Sequence, residues 1–179
     1  IIYALAMVKK ACAQANRACG VLPANKVRAI EEVCDEIIAG ELENEFPLPV
    51  WQTGSGTHTN MNVNEVIANR AHVLSGGSLT DAHRILHPND DVNRSQSSND
   101  VFPTAMNVAA HRLITRETLG KLRVLRDALA AKTEEFMPII KMGRTHLMDA
   151  TPLRLGQEFS GYVAQLDQRL LIHAQPRDA

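Results

Sequence analysis

The spacing of the apolar residues constrains this chain more than any other feature of its sequence. Over most of its length they recur every three or four positions, which is the period of one face of an α-helix. Such stripes run along residues 27–38, 62–74, 101–136 and 155–173. No alternation of apolar and polar residues is long enough to indicate a strand. We therefore predict a mostly α fold.

Residues at the ends of these stripes predict where helices begin and end. Asn25 is predicted to be an N-cap, and Gly40 is predicted to stop the same helix. Asp100 is expected to cap the longest stripe, in whose first turn Pro103 is tolerated. Gly120 is the expected position of a kink or of a break into two helices.

The composition argues against several classes of function. The chain has 179 residues, of which 45% are hydrophobic, and this is enough for a real core. Its net charge of −1 gives no electrostatic footprint for nucleic acid or for an anionic membrane. No apolar run reaches the ~20 residues that a membrane span requires. Three cysteines without a Cys-x-x-Cys pair indicate reduced thiols in a reducing compartment.

Two hydroxyl-rich segments precede helical stripes, Ser55-Gly56-Thr57 and Ser97-Ser98-Asn99-Asp100. Neutral donors at the positive end of a helix suit a carboxylate or a phosphate. The first segment is not a Walker loop, because no Gly-Lys-Ser/Thr follows it. The alternative is that these residues only form turns and caps, although capping explains one or two residues better than four in succession.

A third polar segment contains Thr145 and His146, preceded by Arg144 and followed by Asp149. Histidine readily exchanges a proton near neutral pH, and arginine could bind a carboxylate. The alternative is a structural or solvated histidine. Together the three segments indicate a small anionic substrate, for which a dicarboxylate is natural, and acid–base chemistry.

We predict neither a metal site nor nucleophilic hydrolysis. His83 and His87 have the spacing of one helix face, but Pro88 would end that helix and no third ligand is obvious. The sequence has no Gly-x-Ser-x-Gly elbow and no cysteine near a histidine.

At these segments the sequence resembles the fumarase/aspartase superfamily, and class II fumarases most closely. The matching stretches cover nearly the whole chain in order; they are 51–57, 60–66, 87–93, 95–100 and 141–158. Aspartate ammonia-lyases carry Gly-Arg-Thr-Gln where this chain has Gly143-Arg144-Thr145-His146. They usually carry Asn-Pro-Asn-Asp where this chain begins with His87, so both positions favour a fumarase.

The resemblance implies roles for individual residues. His146 would be catalytic, positioning or activating the water and taking part in proton transfer. The residues that would bind the substrate are Ser55, Gly56, Thr57, Ser97, Ser98, Asn99 and Thr145. Those that would form a second dicarboxylate site are Arg84, His87, Pro88, Asn89 and Asp90.

The same resemblance implies an activity and an architecture. The activity would be the reversible hydration of fumarate to (S)-malate in the citric acid cycle, without a cofactor. Residues 1–98 would form a helical N-terminal domain, and residues 99–179 the start of a central helical bundle. The enzyme would be a homotetramer in a bacterial cytoplasm or a mitochondrial matrix, with no nucleic-acid or membrane partner.

This sequence also departs from the fumarase pattern. His58 and Met148 stand where glutamine is common, and the flexible Gly-Ser-Ser loop of the family, with its following lysine and asparagine, lies beyond residue 179. We therefore expect the N-terminal portion of an enzyme, inactive alone. The alternatives are aspartate ammonia-lyase, another lyase of the superfamily, or a non-catalytic fragment that binds dicarboxylates or assembles with other chains.

Overall fold

The computed structural model describes residues 1–49 and 56–174. Within these ranges six α-helices follow one another, with a β-hairpin before the last, so the predicted mostly α fold is confirmed. The helices are α1 (Ile2–Ala18), α2 (Ala24–Ala39), α3 (Thr57–Leu74), α4 (Ser98–Leu113), α5 (Leu119–Phe136) and α6 (Leu155–Ala174). The strands are β1 (Ile140–Thr145) and β2 (Met148–Arg154). No helix in the described ranges is both long and apolar enough to cross a membrane.

Contacts divide the chain into two compact units, Ile1–His111 and Arg112–Ala179. The functional domain boundary predicted at residue 98 stays a prediction. In the first unit α1 packs on α2, and α2 packs on α3. Their buried aliphatic side chains form one core; the largest are Leu5, Val27, Ile30, Val33, Ile37, Val63 and Ile67. Gly40 ends α2 as predicted, with φ of 85°, a backbone conformation that glycine adopts without strain.

Two predicted helix caps are wrong by a few residues. The second helix begins one residue before Asn25, and its N-cap position is Pro23, so Asn25 lies inside the first turn. Asp100 likewise lies in the first turn of α4. The cap is Ser97, whose Oγ accepts a hydrogen bond from the Asn99 backbone N–H at 3.3 Å. An aspartate inside the first turn still interacts favourably with the positive end of the helix.

The long apolar stripe breaks before the predicted position. A π-helical turn at Ile114–Thr118 separates α4 from α5, and Gly120 lies inside α5. The Thr118 hydroxyl donates to the Leu113 carbonyl at 3.3 Å. Hydroxyl bonds of this kind to a preceding carbonyl compete with the helical ladder, which explains why the break occurs here.

The hairpin in the second unit was not predicted. Its register pairs Ile140 with Arg154 and Thr145 with Met148. Nearly all of its side chains are exposed or half-buried. Because neither face is consistently buried, its sequence carries no apolar alternation that could have revealed the strands.

Close packing between α5 and α6 accounts for the rest of the second unit. A Cβ atom on Gly156 would lie 2.4 Å from the Thr133 carbonyl oxygen, so only glycine permits this approach. Nearby, the rings of Phe136 and Phe159 meet edge to face with centroids 5.1 Å apart. This is a favoured geometry for aromatic pairs.

Candidate functional site

The start of α3 carries the first predicted substrate residues. Gly56 is buried at the N-cap position with φ of 65°, and Thr57 is the first residue of the helix and is exposed. Ser55 lies outside the described residues. The backbone N–H groups of a first helical turn point away from the helix and favour an anion.

The start of α4 carries the second set. Ser97 and Asn99 are exposed, and Ser98 is half-buried. Ser97 serves as the cap, so the capping interpretation is correct for this residue. Ser98 has a different partner, because its Oγ accepts a hydrogen bond from Asn60 Nδ2 at 2.8 Å.

The structure brings the starts of these two helices together. Asn60, in the first turn of α3, bonds to Ser98 at the start of α4. One turn into α4, the Phe102 ring packs so tightly on Gly56 that a Cβ atom there would lie 2.2 Å from its Cγ. Thr57 and Ser98 therefore belong to one local arrangement, in which two helix N-termini offer neutral donors.

A buried polar network lies beside this arrangement. The Lys9 side chain is fully buried, and its Nζ donates to Asn93 Oδ1 and to Gln96 Oε1, both at 2.8 Å. Asn93 Oδ1 also accepts from Asn60 Nδ2 at 3.2 Å and from Asn64 Nδ2 at 3.3 Å. Burial disfavours the ammonium and lowers the pKa of Lys9 to about 8.

Sequence reasoning missed this network, although the chain contained a signal for it. Lys9 lies one helical turn from Leu5 and from Ala13, both of which are buried. Asn60 and Asn64 are likewise one turn apart, and both are fully buried. A polar residue at a core-facing position of a helix indicates a buried hydrogen-bond network.

His87 is the first residue of the predicted second dicarboxylate site and organises its turn. Pro88 begins a short π-helical turn, and His87 Nδ1 accepts hydrogen bonds from the Asn89 and Asp90 N–H groups at 3.3 and 3.1 Å. With Nδ1 acting as an acceptor, the neutral ring carries its proton on Nε2. The structure therefore places four predicted residues, 87–90, in one turn, where the imidazole of His87 is exposed.

Two other expectations at this turn meet different outcomes. The helix on which His83 and His87 would share a face is absent, since residues 81–87 are irregular, and that part of the metal-site reasoning was wrong. The Arg84 guanidinium donates to Asn69 Oδ1 and, at 3.5 Å, to the Leu79 carbonyl. Its role in the second dicarboxylate site stays a prediction.

The third segment lies in the second unit and forms the end of a regular hairpin, although the sequence indicated no strand there. Thr145 ends β1, and the exposed His146 and Leu147 form the turn, with φ of 52° and 63°. Positive φ at both central residues is what a type I′ turn requires. Across the strands, Arg144 Nε lies 3.3 Å from Asp149 Oδ1.

The base of this hairpin carries a second charged cluster. Lys141 Nζ bonds to Glu158 on α6, and the Tyr162 hydroxyl donates to the same carboxylate at 2.8 Å. The hydrogen bond from Lys141 and, to a lesser extent, that from Tyr162 lower the pKa of Glu158. The groove beside them has a volume of about 600 Å³ and is lined also by Arg144 and Gln157.

Comparison with known proteins identifies the class to which this fold and these segments belong. Residues 1–174 match the family described as lyase, so the chain belongs to this lyase family. The class II fumarate hydratase of Ralstonia nicotianae is 63% identical over 166 residues, which are 93% of this chain and 36% of that protein. The class II fumarate hydratase of Haemophilus influenzae is 59% identical over 167 residues, again 93% of this chain and 36% of the relative.

Solved structures agree with the predicted fold type. Class II fumarase from Schistosoma mansoni matches with a TM-score of 0.82 and 48% identity, over 94% of this chain and 35% of that one. The fumarate lyase:delta crystallin of Brucella melitensis matches with a TM-score of 0.81 and 48% identity, over 95% and 39%. The expectation of a fumarase-like architecture is confirmed, and the chain spans 36% of the length of the curated relatives named above.

Proposed function

We propose that this chain forms part of a class II fumarate hydratase, which adds water to fumarate to give (S)-malate and catalyses the reverse reaction. The observation that carries this proposal is the junction of two helix starts through the 2.8 Å hydrogen bond between Asn60 and Ser98. The names of the relatives at 63% and 59% identity support the same activity.

In this proposal one substrate carboxylate binds at the two helix starts. Ser97 Oγ accepts the Asn99 N–H, and Ser98 Oγ accepts from Asn60. Among the described residues neither hydroxyl hydrogen has an acceptor, so both can donate to an anion. Thr57 adds a hydroxyl from the start of α3. Neutral donors fixed in place stabilise the carboxylate most when it gains charge, as it does in a carbanion-like aci-carboxylate intermediate.

His146 is proposed to act on the water. In hydration, the water oxygen adds to one alkene carbon and a proton adds to the neighbouring carbon. His146 would hold the water and accept its proton, which an imidazole does readily near neutral pH. Its position in a two-residue turn between paired strands fixes the backbone that carries it.

The remaining parts of the proposal concern assembly and the second site. The turn at 87–90, with Arg84, is proposed to bind a dicarboxylate through the exposed His87 ring and the side chains around it. We also propose a homotetramer in a bacterial cytoplasm or a mitochondrial matrix, acting in the citric acid cycle.

Complementation tests the proposed activity. The 179-residue chain alone is expected to give no turnover. The resemblance implies that a serine of the Gly-Ser-Ser loop, beyond these residues, delivers the proton to the substrate carbon in hydration and removes it in the reverse reaction. Mixed with a polypeptide carrying the remaining sequence of the Ralstonia nicotianae relative, it should consume fumarate, followed by its absorbance. His146→Asn should then lower the rate by about 10²–10⁴, the usual contribution of a general base. His83→Asn, outside the proposed sites, is the matched control.

Three results would contradict the proposal. Complemented turnover that survives His146→Asn would remove the histidine from its assigned role. Release of ammonia from aspartate by the complemented mixture would assign the chain to an ammonia-lyase instead. Dicarboxylate binding with no turnover under any condition would favour the non-catalytic alternative.

A further inference from the structure

We infer that Lys9 is a positioning residue for the Ser98 hydroxyl. Its buried ammonium fixes the direction of a hydrogen-bond chain that runs through two asparagines, so that the Ser98 hydrogen points away from the network and toward a bound carboxylate. This inference rests on the proposed function, because the carboxylate is the proposed ligand of Ser98.

The first step is the position of Lys9 itself. Lys9 belongs to α1, and its side chain is fully buried in the interior of the first unit, where an unpaired ammonium would be unfavourable. It reaches Asn93 and Gln96, whose carboxamide oxygens both lie 2.8 Å from Nζ. Both partners belong to the turn that leads into Ser97 and Ser98.

The second step is the direction that an ammonium imposes. Lysine has three donors and no acceptor, so Asn93 must turn its Oδ1 toward Lys9. The same Oδ1 lies 3.2 Å from the side-chain nitrogen of Asn60 and 3.3 Å from that of Asn64. Both of these residues must therefore present their NH₂ groups to it.

The third step carries this direction to Ser98. Asn60 Nδ2 has two hydrogens; one serves Asn93, and the other is directed at Ser98 Oγ, 2.8 Å away. Ser98 therefore accepts on its inner side, and its own hydrogen must go elsewhere. A hydroxyl that accepts on one side becomes a better donor on the other.

Two buried oxygens support this directional role. The Oδ1 atoms of Asn60 and Asn64 are fully buried, and neither has a hydrogen-bond partner within the described part of the chain. A buried acceptor without a donor is unfavourable, so the hydrogen bonds of the two carboxamide oxygens do not determine how these side chains are oriented. The ammonium of Lys9, acting through Asn93, holds them in this orientation.

The turn also has bonds of its own, which separates positioning from a purely structural role. Gln96 Nε2 donates to the Val92 carbonyl at 2.9 Å, and Asn93 Nδ2 donates to the Gln96 carbonyl at 3.2 Å. Lys9→Met removes the donor to Gln96 Oε1, whereas Asn93 Oδ1 keeps its hydrogen bonds from Asn60 and Asn64. We expect Lys9→Met to fold, because only one half-buried acceptor loses its donor, and to lose the constraint that the ammonium places on the network.

Fumarate binding to the 179-residue chain, measured by titration calorimetry, tests the inference. Lys9→Met should weaken binding roughly tenfold, the effect of losing a good hydrogen bond to a charged ligand. Lys10→Met is the matched control, because Lys10 pairs with Asp35 at 2.7 Å and takes no part in the network. This variant should bind fumarate as tightly as the wild type does. In a Ser98→Ala background, Lys9→Met should not weaken fumarate binding further, because the two changes remove the same hydrogen bond to the carboxylate. Equal losses in both backgrounds would overturn the inference.

A second readout needs no ligand and separates this inference from the proposed function. Absence of fumarate binding by the wild type would count against the proposed function alone. The side-chain NH₂ signals of Asn60 in ¹H–¹⁵N spectra should exchange slowly in the wild type and in Lys10→Met, and should shift and exchange faster in Lys9→Met. Unchanged Asn60 signals in Lys9→Met would overturn the inference whatever the ligand. Lys9→Leu, which also lacks a donor, gives the same test if Lys9→Met does not fold.

Discussion

At the scale of single residues, Lys9 gives the stability of this chain an unusual dependence on pH. Burial lowers its pKa from 10.5 to about 8, so between these values the unfolded chain binds more protons than the folded chain. The contribution of Lys9 to the free energy of unfolding should therefore rise with pH across this window, by at most about 1.4 kcal/mol per pH unit. Below pH 8 both states carry the ammonium, and this gain is absent.

Denaturant unfolding at pH 7, 8, 9 and 10 checks this expectation. Relative to Lys9→Met, the wild type should gain stability as the pH rises. Lys10→Met provides the comparison, because a hydrogen bond to Asp35 raises the pKa of Lys10 and its stabilisation is fully present below 10.5. Parallel pH profiles of the wild type and Lys9→Met would show that the Lys9 pKa is not depressed.

At the scale of elements, the contact between α3 and α4 depends on the absence of one side chain. Gly56→Ala adds a methyl group that would meet the Phe102 ring, and it also places alanine at φ of 65°. Gly20→Ala has nearly the same backbone conformation, φ of 70°, but nothing within 4 Å of its new methyl group. Gly20→Ala should lower the free energy of unfolding by about 1–2 kcal/mol, because alanine is strained in the left-handed conformation. Gly56→Ala should lower it by about 1–3 kcal/mol more, because the methyl group overpacks against Phe102.

Chemical denaturation of the two variants measures this difference directly. In a Phe102→Ala background the extra loss for Gly56→Ala should disappear, because the methyl group then has room. Equal losses for Gly56→Ala and Gly20→Ala in the wild-type background would mean that Phe102 does not pack on Gly56.

At the scale of the whole molecule, the second unit exposes apolar side chains that favour association. The large exposed ones on α5 and α6 are Val124, Leu125, Tyr162, Leu171 and Ile172. Apolar surface of this kind promotes contact with another copy. Sedimentation should show self-association that weakens in Val124→Glu/Leu171→Glu and persists in Val21→Glu, a change on the first unit. A monomer at high concentration would contradict the proposed tetramer.

The apolar period predicted α2 to α6, because burial on one face forces that period, but it did not predict α1. The break was predicted at Gly120 because the low helix propensity of glycine is visible in the sequence. The Thr118 hydroxyl bond, which lies at the observed break, is not. The hairpin was not predicted, because strands exposed on both faces need no alternation of apolar and polar residues. Lys9 was missed although it occupies a core-facing position of α1, because its hydrogen-bond partners Asn93 and Gln96 lie 84 and 87 residues away. Ser98 was found as a candidate, but its partner Asn60 emerges only from packing.

The turn at His146 has a consequence for how this family of enzymes changes over evolutionary time. The side chain is exposed, and the paired residues Thr145 and Met148 fix the backbone on both sides of the turn. A different residue at position 146 therefore requires no rearrangement of a core. Histidine and glutamine codons differ only in their third base. One nucleotide substitution can thus exchange the side chain at this turn while the strands that carry it stay paired.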